Sequence, residues 1–220
     1  MAREYAGRLL KTLFGLFLCA AGSLLGIQAN IGLAPWDALS VGISKVSGLS
    51  YGTVSVWTGV VILAVDLLLR EKIGLGTLLN TVLIGIMVDI MQSFGLVPLL
   101  DNFWLGVPML LAGQALLAFG SYFYISPGLG CGPRDSLMVA LGRRFPRTPI
   151  GLVRGLLEGT VLLAGWLLGA KVGLGTVVSV FGISFLIQGV FRLFRFDVKQ
   201  VRHESLFATF RRLEKRATEA

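Results

Sequence analysis

The sequence predicts an all-α integral membrane protein with six transmembrane helices, arranged as two inverted three-helix repeats that each carry a short re-entrant or interfacial helix. Three observations predict this fold class: an apolar composition, six apolar stretches about as long as a bilayer is thick, and a duplicated pattern of Gly, Pro and Asp. Of the 220 residues, 55% are hydrophobic, and the mean hydropathy is +0.79. A soluble domain of this size does not bury so much apolar surface. We therefore expect one integral membrane domain.

The composition also excludes several classes of function. The net charge is +8, but the basic residues are spread between the apolar stretches, so we expect them to contact lipid headgroups rather than nucleic acid. The sequence has two Cys and one His, and it shows no metal-ligand spacing, nucleotide fingerprint or catalytic constellation. We therefore predict no metal and no cofactor. An intramembrane enzyme is the weakest of the functions considered.

The first half, residues 1–98, is predicted to contain three long helices and one short helix. The apolar stretch near the N-terminus follows basic residues as a signal peptide does, but it recurs later in the chain, so we predict a retained first helix. The long helices are predicted at 8–29, 51–69 and 74–95, each close to the roughly 20 residues that cross a bilayer. A short helix at 35–46 follows the first of them, after a break at Gly32, and begins at Pro35.

The second half, residues 99–196, repeats this order. Long helices are predicted at 104–126, 149–169 and 174–194, and a short helix at 133–144 follows a break at Gly130 and Gly132 and begins at Pro133. Apolar matches carry little weight in so biased a composition, but polar and turn residues also align. The aligned features are the Pro and Asp of the two short helices and the boxes "KIGLGT" (72–77) and "KVGLGT" (171–176). Each box is predicted to be a turn whose threonine caps the next helix.

The distribution of Lys and Arg predicts the orientation of the two halves. With three crossings in each half, all but three of the 20 Lys and Arg residues lie on the cytoplasmic side, as the positive-inside tendency requires. The three exceptions are Lys45, Lys171 and Arg154. This topology inverts the halves relative to each other and places both termini in the cytoplasm of a bacterium, with the chain in its inner membrane.

The final segment, 197–220, is predicted to be a basic amphipathic helix. Apolar residues recur at spacings of three and four, with arginines between them. We expect such a helix to lie on the anionic inner leaflet. A helix that binds a partner is the alternative.

The Pro and Asp segments are the strongest candidates for a functional site. A proline suits the first turn of a helix, and an aspartate two residues later lies near the free amides and the positive dipole end. Capping is therefore one explanation of Asp37 and Asp135. In the other, the short helices are re-entrant and their N-termini hold a solute or ion inside the membrane. An interfacial helix is also compatible with the polar stripe on 35–46.

Other polar residues within the spans are costly unless they are paired or wet. Arg154 and Glu158 are four residues apart and can pair on one helix face, as a structural salt bridge or as a cavity lining. Asp89 has no local cation and is a candidate for binding a proton or cation, and its repeat counterpart is Gln188. Arg134 lies between the Pro and Asp of its motif and is a candidate for binding the solute.

Asp66 and Arg70 have the same spacing of four residues near a membrane end. We predict an interfacial ion pair there.

The segments "GLAPWDALS" (32–40) and "GLGCGPRDSLMVALGRR" (128–144), with the two K-x-GLGT boxes, resemble the YczE group of bacterial multipass membrane proteins. That group is distantly similar to the YitT group. The resemblance covers nearly the whole chain. It implies a bacterial inner-membrane protein but no particular substrate.

These patterns predict a small-solute permease or exporter whose site lies between the two repeats. Arg134, Arg154 and the helix N-termini would favour an anionic or zwitterionic substrate. The alternative is a non-transporting scaffold or regulator of a membrane-associated lipid or secondary-metabolite pathway. The expected partners are membrane lipids and a small molecule, and a homo-oligomer is left open. A polar path between the halves would favour the permease, and a dry interface would favour the scaffold.

Overall fold

The computed structural model describes residues 2–197 and residue 201, and within these residues all regular secondary structure is helical. The predicted tail, 197–220, therefore lies almost wholly outside the described residues. The order of one long, one short and two long helices occurs twice, as predicted. The eight helices are α1 (Ala2–Gln28), α2 (Pro35–Ser47), α3 (Tyr51–Leu68), α4 (Leu75–Ser93), α5 (Phe103–Ile125), α6 (Pro133–Arg144), α7 (Ile150–Leu167) and α8 (Leu174–Leu193).

Five of these helices are long and apolar enough to cross a membrane, namely α1, α3, α4, α5 and α8. This confirms an all-α membrane protein. The sixth predicted span, α7, has 18 residues and is not among those five. The short helices α2 and α6 have 13 and 12 residues, fewer than a full crossing needs.

The centre of the fold is the packing of α1 against α5. Glycines face each other along this contact, where a Cβ added at Gly15 would lie 2.7 Å from the Gly120 carbonyl oxygen, and one at Gly22 would lie 2.6 Å from that of Gly113. Small residues allow two helices in a membrane to approach so closely. Helix α4 packs beside α1, and α8 packs beside α5.

The short helices cross to the other half of the chain. Helix α2 packs on α7, and α6 packs on α3. The halves differ in one respect, because α3 packs along α4 while no comparable packing joins α7 to α8.

Each glycine-rich break is held by the K-x-GLGT box of the other half. The Gly76 amide donates to the Leu129 carbonyl at 2.8 Å, and the Gly175 amide donates to the Ile31 carbonyl at 3.0 Å. Within each box the threonine hydroxyl accepts from the amide that precedes the helix, at 3.3 Å for both Thr77 and Thr176. The predicted threonine caps are confirmed. The two boxes therefore fix where α2 and α6 begin.

The predicted ion pair of Asp66 and Arg70 is wrong. Helix α3 ends at Leu68, and Arg70 has left it with a φ of 61°, so the side-chain spacing of a helix no longer applies. The Asp66 side chain is buried, and within the described residues neither carboxylate oxygen has a hydrogen-bond partner.

Candidate solute site between the two halves

The N-termini of α2 and α6 meet inside the protein. Trp36 and Arg134 each directly follow the proline that begins their helix, so they occupy equivalent positions in the two repeats. The guanidinium carbon of Arg134 lies 4.9 Å from the centroid of the Trp36 ring, which is a cation–π distance. The two breaks therefore bring both Pro and Asp segments to one place.

A central cavity of about 170 Å³ lies beside this contact. Asp37 and Asp135 both line it, together with Arg134. The surrounding helices also contribute polar groups to its wall, from Ser23, Ser55, Asn80, Thr81 and Ser121. The wall of the cavity is therefore polar, and Thr81 and Ser121 also donate hydrogen bonds to carbonyls of their own helices.

Each motif aspartate accepts a hydrogen bond from a tyrosine. The Tyr51 hydroxyl donates to Asp37 at 2.8 Å, and the Tyr124 hydroxyl donates to Asp135 at 3.1 Å. Asp37 is only 8% exposed, whereas Asp135 is exposed. The partner of Asp37 is thus a tyrosine on α3, which capping of α2 alone does not require.

A second chamber of about 230 Å³ adjoins the first, and Ser121, Arg134 and Asp135 line both. Arg154 and Glu158 form its far wall. The predicted pair forms, with 2.8 Å between the Arg154 Nε and Glu158 Oε1 atoms. The two side chains form a salt bridge and also line the cavity, so the two predicted roles are compatible.

Two predicted residues are not brought to these chambers. Asp89 accepts hydrogen bonds from the Ser50 hydroxyl and from the Gly52 amide, the latter at 2.7 Å. It therefore caps the N-terminus of α3 from α4, where a carboxylate is favourable. Gln188 lines a separate open hollow with Arg192 and Arg195.

Sequence reasoning missed the three residues that contact the charged side chains of the two motifs: Trp36, Tyr51 and Tyr124. Trp36 carried a usable signal, because it aligns with Arg134 in the repeat. The repeat gave no such signal for Tyr51 and Tyr124, because their counterparts, Ile150 and Gly26, are not polar. Only the fold brings their hydroxyls to the aspartates.

No metal site emerges from the part of the chain that the structure describes, which holds no group of three or more His, Cys, Asp or Glu residues able to bind an ion. Both cysteines are free, and the Cys131 sulfur lies 3.0 Å from the Ser136 hydroxyl oxygen.

The model of a family of unknown function, DUF6198, matches residues 6–192. The chain belongs to this family. The DUF6198 match spans both Pro and Asp motifs, both K-x-GLGT boxes and all residues that line the two chambers.

Relatives of this DUF6198 chain occur in two bacteria. An uncharacterized protein of Haemophilus influenzae is 35% identical over 80% of this chain and 79% of its own. The uncharacterized membrane protein YczE of Bacillus subtilis is 34% identical over 75% of this chain and 76% of its own, which confirms the resemblance to the YczE group. The B. subtilis protein YyaS is 28% identical over 76% of this chain and 83% of its own. No solved structure matches.

Proposed function

We propose that the protein is a small-solute permease or exporter of the bacterial inner membrane, with its solute site in the two chambers. One observation carries this proposal: the N-termini of two short helices, one from each half, meet at a polar cavity through the contact of Trp36 with Arg134. Transporters hold solutes between half-helices whose positive ends meet within the membrane. The cavity would open alternately to either side as the halves move.

The proposed topology has six spans, with α7 as the sixth, two inverted repeats and both termini in the cytoplasm. Helix α7 has 18 residues, so it is ~27 Å long and close to the thickness of the hydrocarbon core. The reciprocal packing of α2 on α7 and of α6 on α3 supports a two-fold relation between the halves. The distribution of Lys and Arg supports the orientation.

The charges of the chambers favour a zwitterionic solute over a simple anion. Three carboxylates, of Asp37, Asp135 and Glu158, and two guanidinium groups, of Arg134 and Arg154, line the chambers. A solute with both charges can pair with both sets without leaving a buried charge uncompensated. The chamber volumes of about 170 and 230 Å³ suit a small polar group.

The polar cavity also favours a permease over the scaffold or regulator. A scaffold needs no polar groups between its halves, and each such group is costly in a membrane unless it is wet or paired.

Flux measurements test the proposal. Metabolite profiling of a deletion strain would supply candidate zwitterions, and proteoliposomes of the full chain would then be assayed for their transport. We expect Asp37→Asn and Arg134→Gln to abolish flux, while Asp101→Asn, which changes an exposed carboxylate in the loop between the halves, leaves it intact. Wild-type flux in both cavity variants, with the protein folded, would rule out this site.

Single cysteines test the topology. Val46 at the end of α2 is 69% exposed, and Phe145 directly after α6 is 58% exposed. In right-side-out vesicles, a membrane-impermeant maleimide should label Val46→Cys but should label Phe145→Cys only after lysis. Labelling of both without lysis would contradict the inversion.

A further inference from the structure

An apolar groove runs between α2 and α3 on the outside of the protein. Its volume is about 470 Å³. Leu39 and Ile43 of α2 and Val54, Trp57 and Val61 of α3 are among the residues that line it. Trp57 is 64% exposed and Val61 is 61% exposed, and α3 is one of the helices able to span a membrane. The groove therefore faces the hydrocarbon of the bilayer.

Trp36 lies at the boundary between this groove and the solute site. It lines both the groove and the second polar chamber, and Arg134 lies over its ring at 4.9 Å. The next residue, Asp37, lines the central cavity. The first turn of α2 thus adjoins a surface suited to hydrocarbon on one side and charged groups on the other.

The second half differs at the boundary residue. The position equivalent to Trp36 is Arg134, whose charged side chain lines both polar chambers. The aromatic side chain between an apolar surface and the charged site is therefore a feature of the first half.

We propose that the substrate is an amphipathic molecule from the bilayer with a zwitterionic head and a single hydrocarbon chain. The zwitterionic head binds in the polar chambers between the carboxylates and Arg134. The hydrocarbon chain lies in the α2–α3 groove, and Trp36 lies at the boundary between the two regions. This inference rests on the proposed permease function and names its substrate class. Because Trp57 and Val61 of the groove are exposed on the outside of the protein, the chain would exchange one apolar environment for another, and only the head has to be transferred into the protein.

The test compares an amphipathic probe with its free head. The full chain is reconstituted in phosphatidylglycerol nanodiscs, whose lipid head carries no cation, and binding is measured for decanoyl lysophosphatidylethanolamine and for glycerophosphoethanolamine. We expect the lysolipid to bind at least about tenfold more tightly than the free head, since taking even two methylenes out of water into the disc is worth that much. The groove variants then show how much of this gain depends on the groove. Arg134→Gln should weaken the binding of both probes.

Two neighbouring valines provide a matched pair of variants. Val61→Trp fills the groove, whereas Val60→Trp adds the same bulk at a 40% exposed position of α3 outside the groove. We expect Val61→Trp to lose about tenfold in lysolipid affinity with the free head unaffected, because the added ring clashes with the bound chain. Val60→Trp should change neither affinity. Comparing the two in identical discs cancels partitioning of the probe into bulk lipid. Trp57→Ala, which removes part of the groove wall without adding bulk, should also weaken lysolipid binding.

The possible results distinguish a failure of this inference from a failure of the proposed permease function. Equal affinity for the lysolipid and the free head would overturn the amphipathic substrate while leaving a permease for soluble zwitterions. Equal lysolipid affinity in Val61→Trp and Val60→Trp would likewise remove the groove from the binding site. Failure of both probes to bind wild-type protein any better than the Arg134→Gln variant would contradict the zwitterion site itself, and with it this inference.

Discussion

Replacing Gly130 with alanine should weaken the packing of the glycine-rich break before α6 against the K-x-GLGT box of the first half. Gly130 lies in the break before α6 with a φ of +141°, a conformation that residues other than glycine rarely adopt. An added Cβ would lie 2.6 Å from the Thr77 hydroxyl oxygen and 2.9 Å from the Thr77 amide nitrogen. Both distances are shorter than a carbon atom tolerates, so the break must move away from the box of the other half.

The cost has two parts. Backbone strain at such a φ costs about 1–3 kcal/mol, and forcing a methyl group into a packed contact costs about another 1–3 kcal/mol. The free energy of unfolding should therefore fall by about 2–6 kcal/mol. Gly48 is the matched control, since it has a φ of +74° and no atom within 4 Å of an added Cβ. Gly48→Ala should cost only the strain, about 1–2 kcal/mol.

The assay is reversible denaturation of the full chain in mild detergent, compared for wild type and both variants. Helix α6 begins three residues after Gly130, so zwitterion binding should weaken in Gly130→Ala and persist in Gly48→Ala. Equal unfolding free energies for the two variants would refute the idea that the glycine break is clamped by the opposite box.

Three further predictions concern the polar contacts. Tyr51→Phe removes the donor to buried Asp37 and should lower the unfolding free energy by about 1–3 kcal/mol; a loss below about 0.5 kcal/mol in denaturation would show that the bond is not needed. Asp89→Asn should lower the free energy of unfolding by about 1 kcal/mol, because it weakens the cap of α3, and should leave flux unchanged. A loss of flux without a loss of stability would show that Asp89 takes part in transport. A double-mutant cycle of Arg154→Gln and Glu158→Gln should give a coupling of about 0.3–1 kcal/mol, as expected for a partly exposed pair. A coupling indistinguishable from zero would contradict a stabilising role for the pair.

The sequence alone predicted the helices well because two independent signals agreed. Apolar length marked the long helices, and the prolines marked the first residues of α2 and α6. The repeated K-x-GLGT boxes were predicted to be capped turns, and they are. Their second role, donating to the breaks of the opposite halves, was not predictable, because it depends on a contact between residues far apart in the chain.

The candidate site was predictable only in part, for the same physical reason. Local spacing predicted the pair of Arg154 and Glu158, because both lie within one helix. The same rule failed for Asp66 because α3 ends before its partner. The role of Asp89 at the start of α3, and the bond from Tyr51 to the motif aspartate, follow from tertiary packing.

The central claim is that the cavity between the halves opens alternately to the two sides of the membrane. Ser121 lines both chambers, so a cysteine at that position reports on the cavity once Cys19 and Cys131 have been replaced. A charged, membrane-impermeant thiol reagent should label Ser121→Cys in right-side-out and in inside-out vesicles, and should label the lipid-facing control Val60→Cys in neither. Labelling of Ser121→Cys from one side only, or from neither, would contradict alternating access.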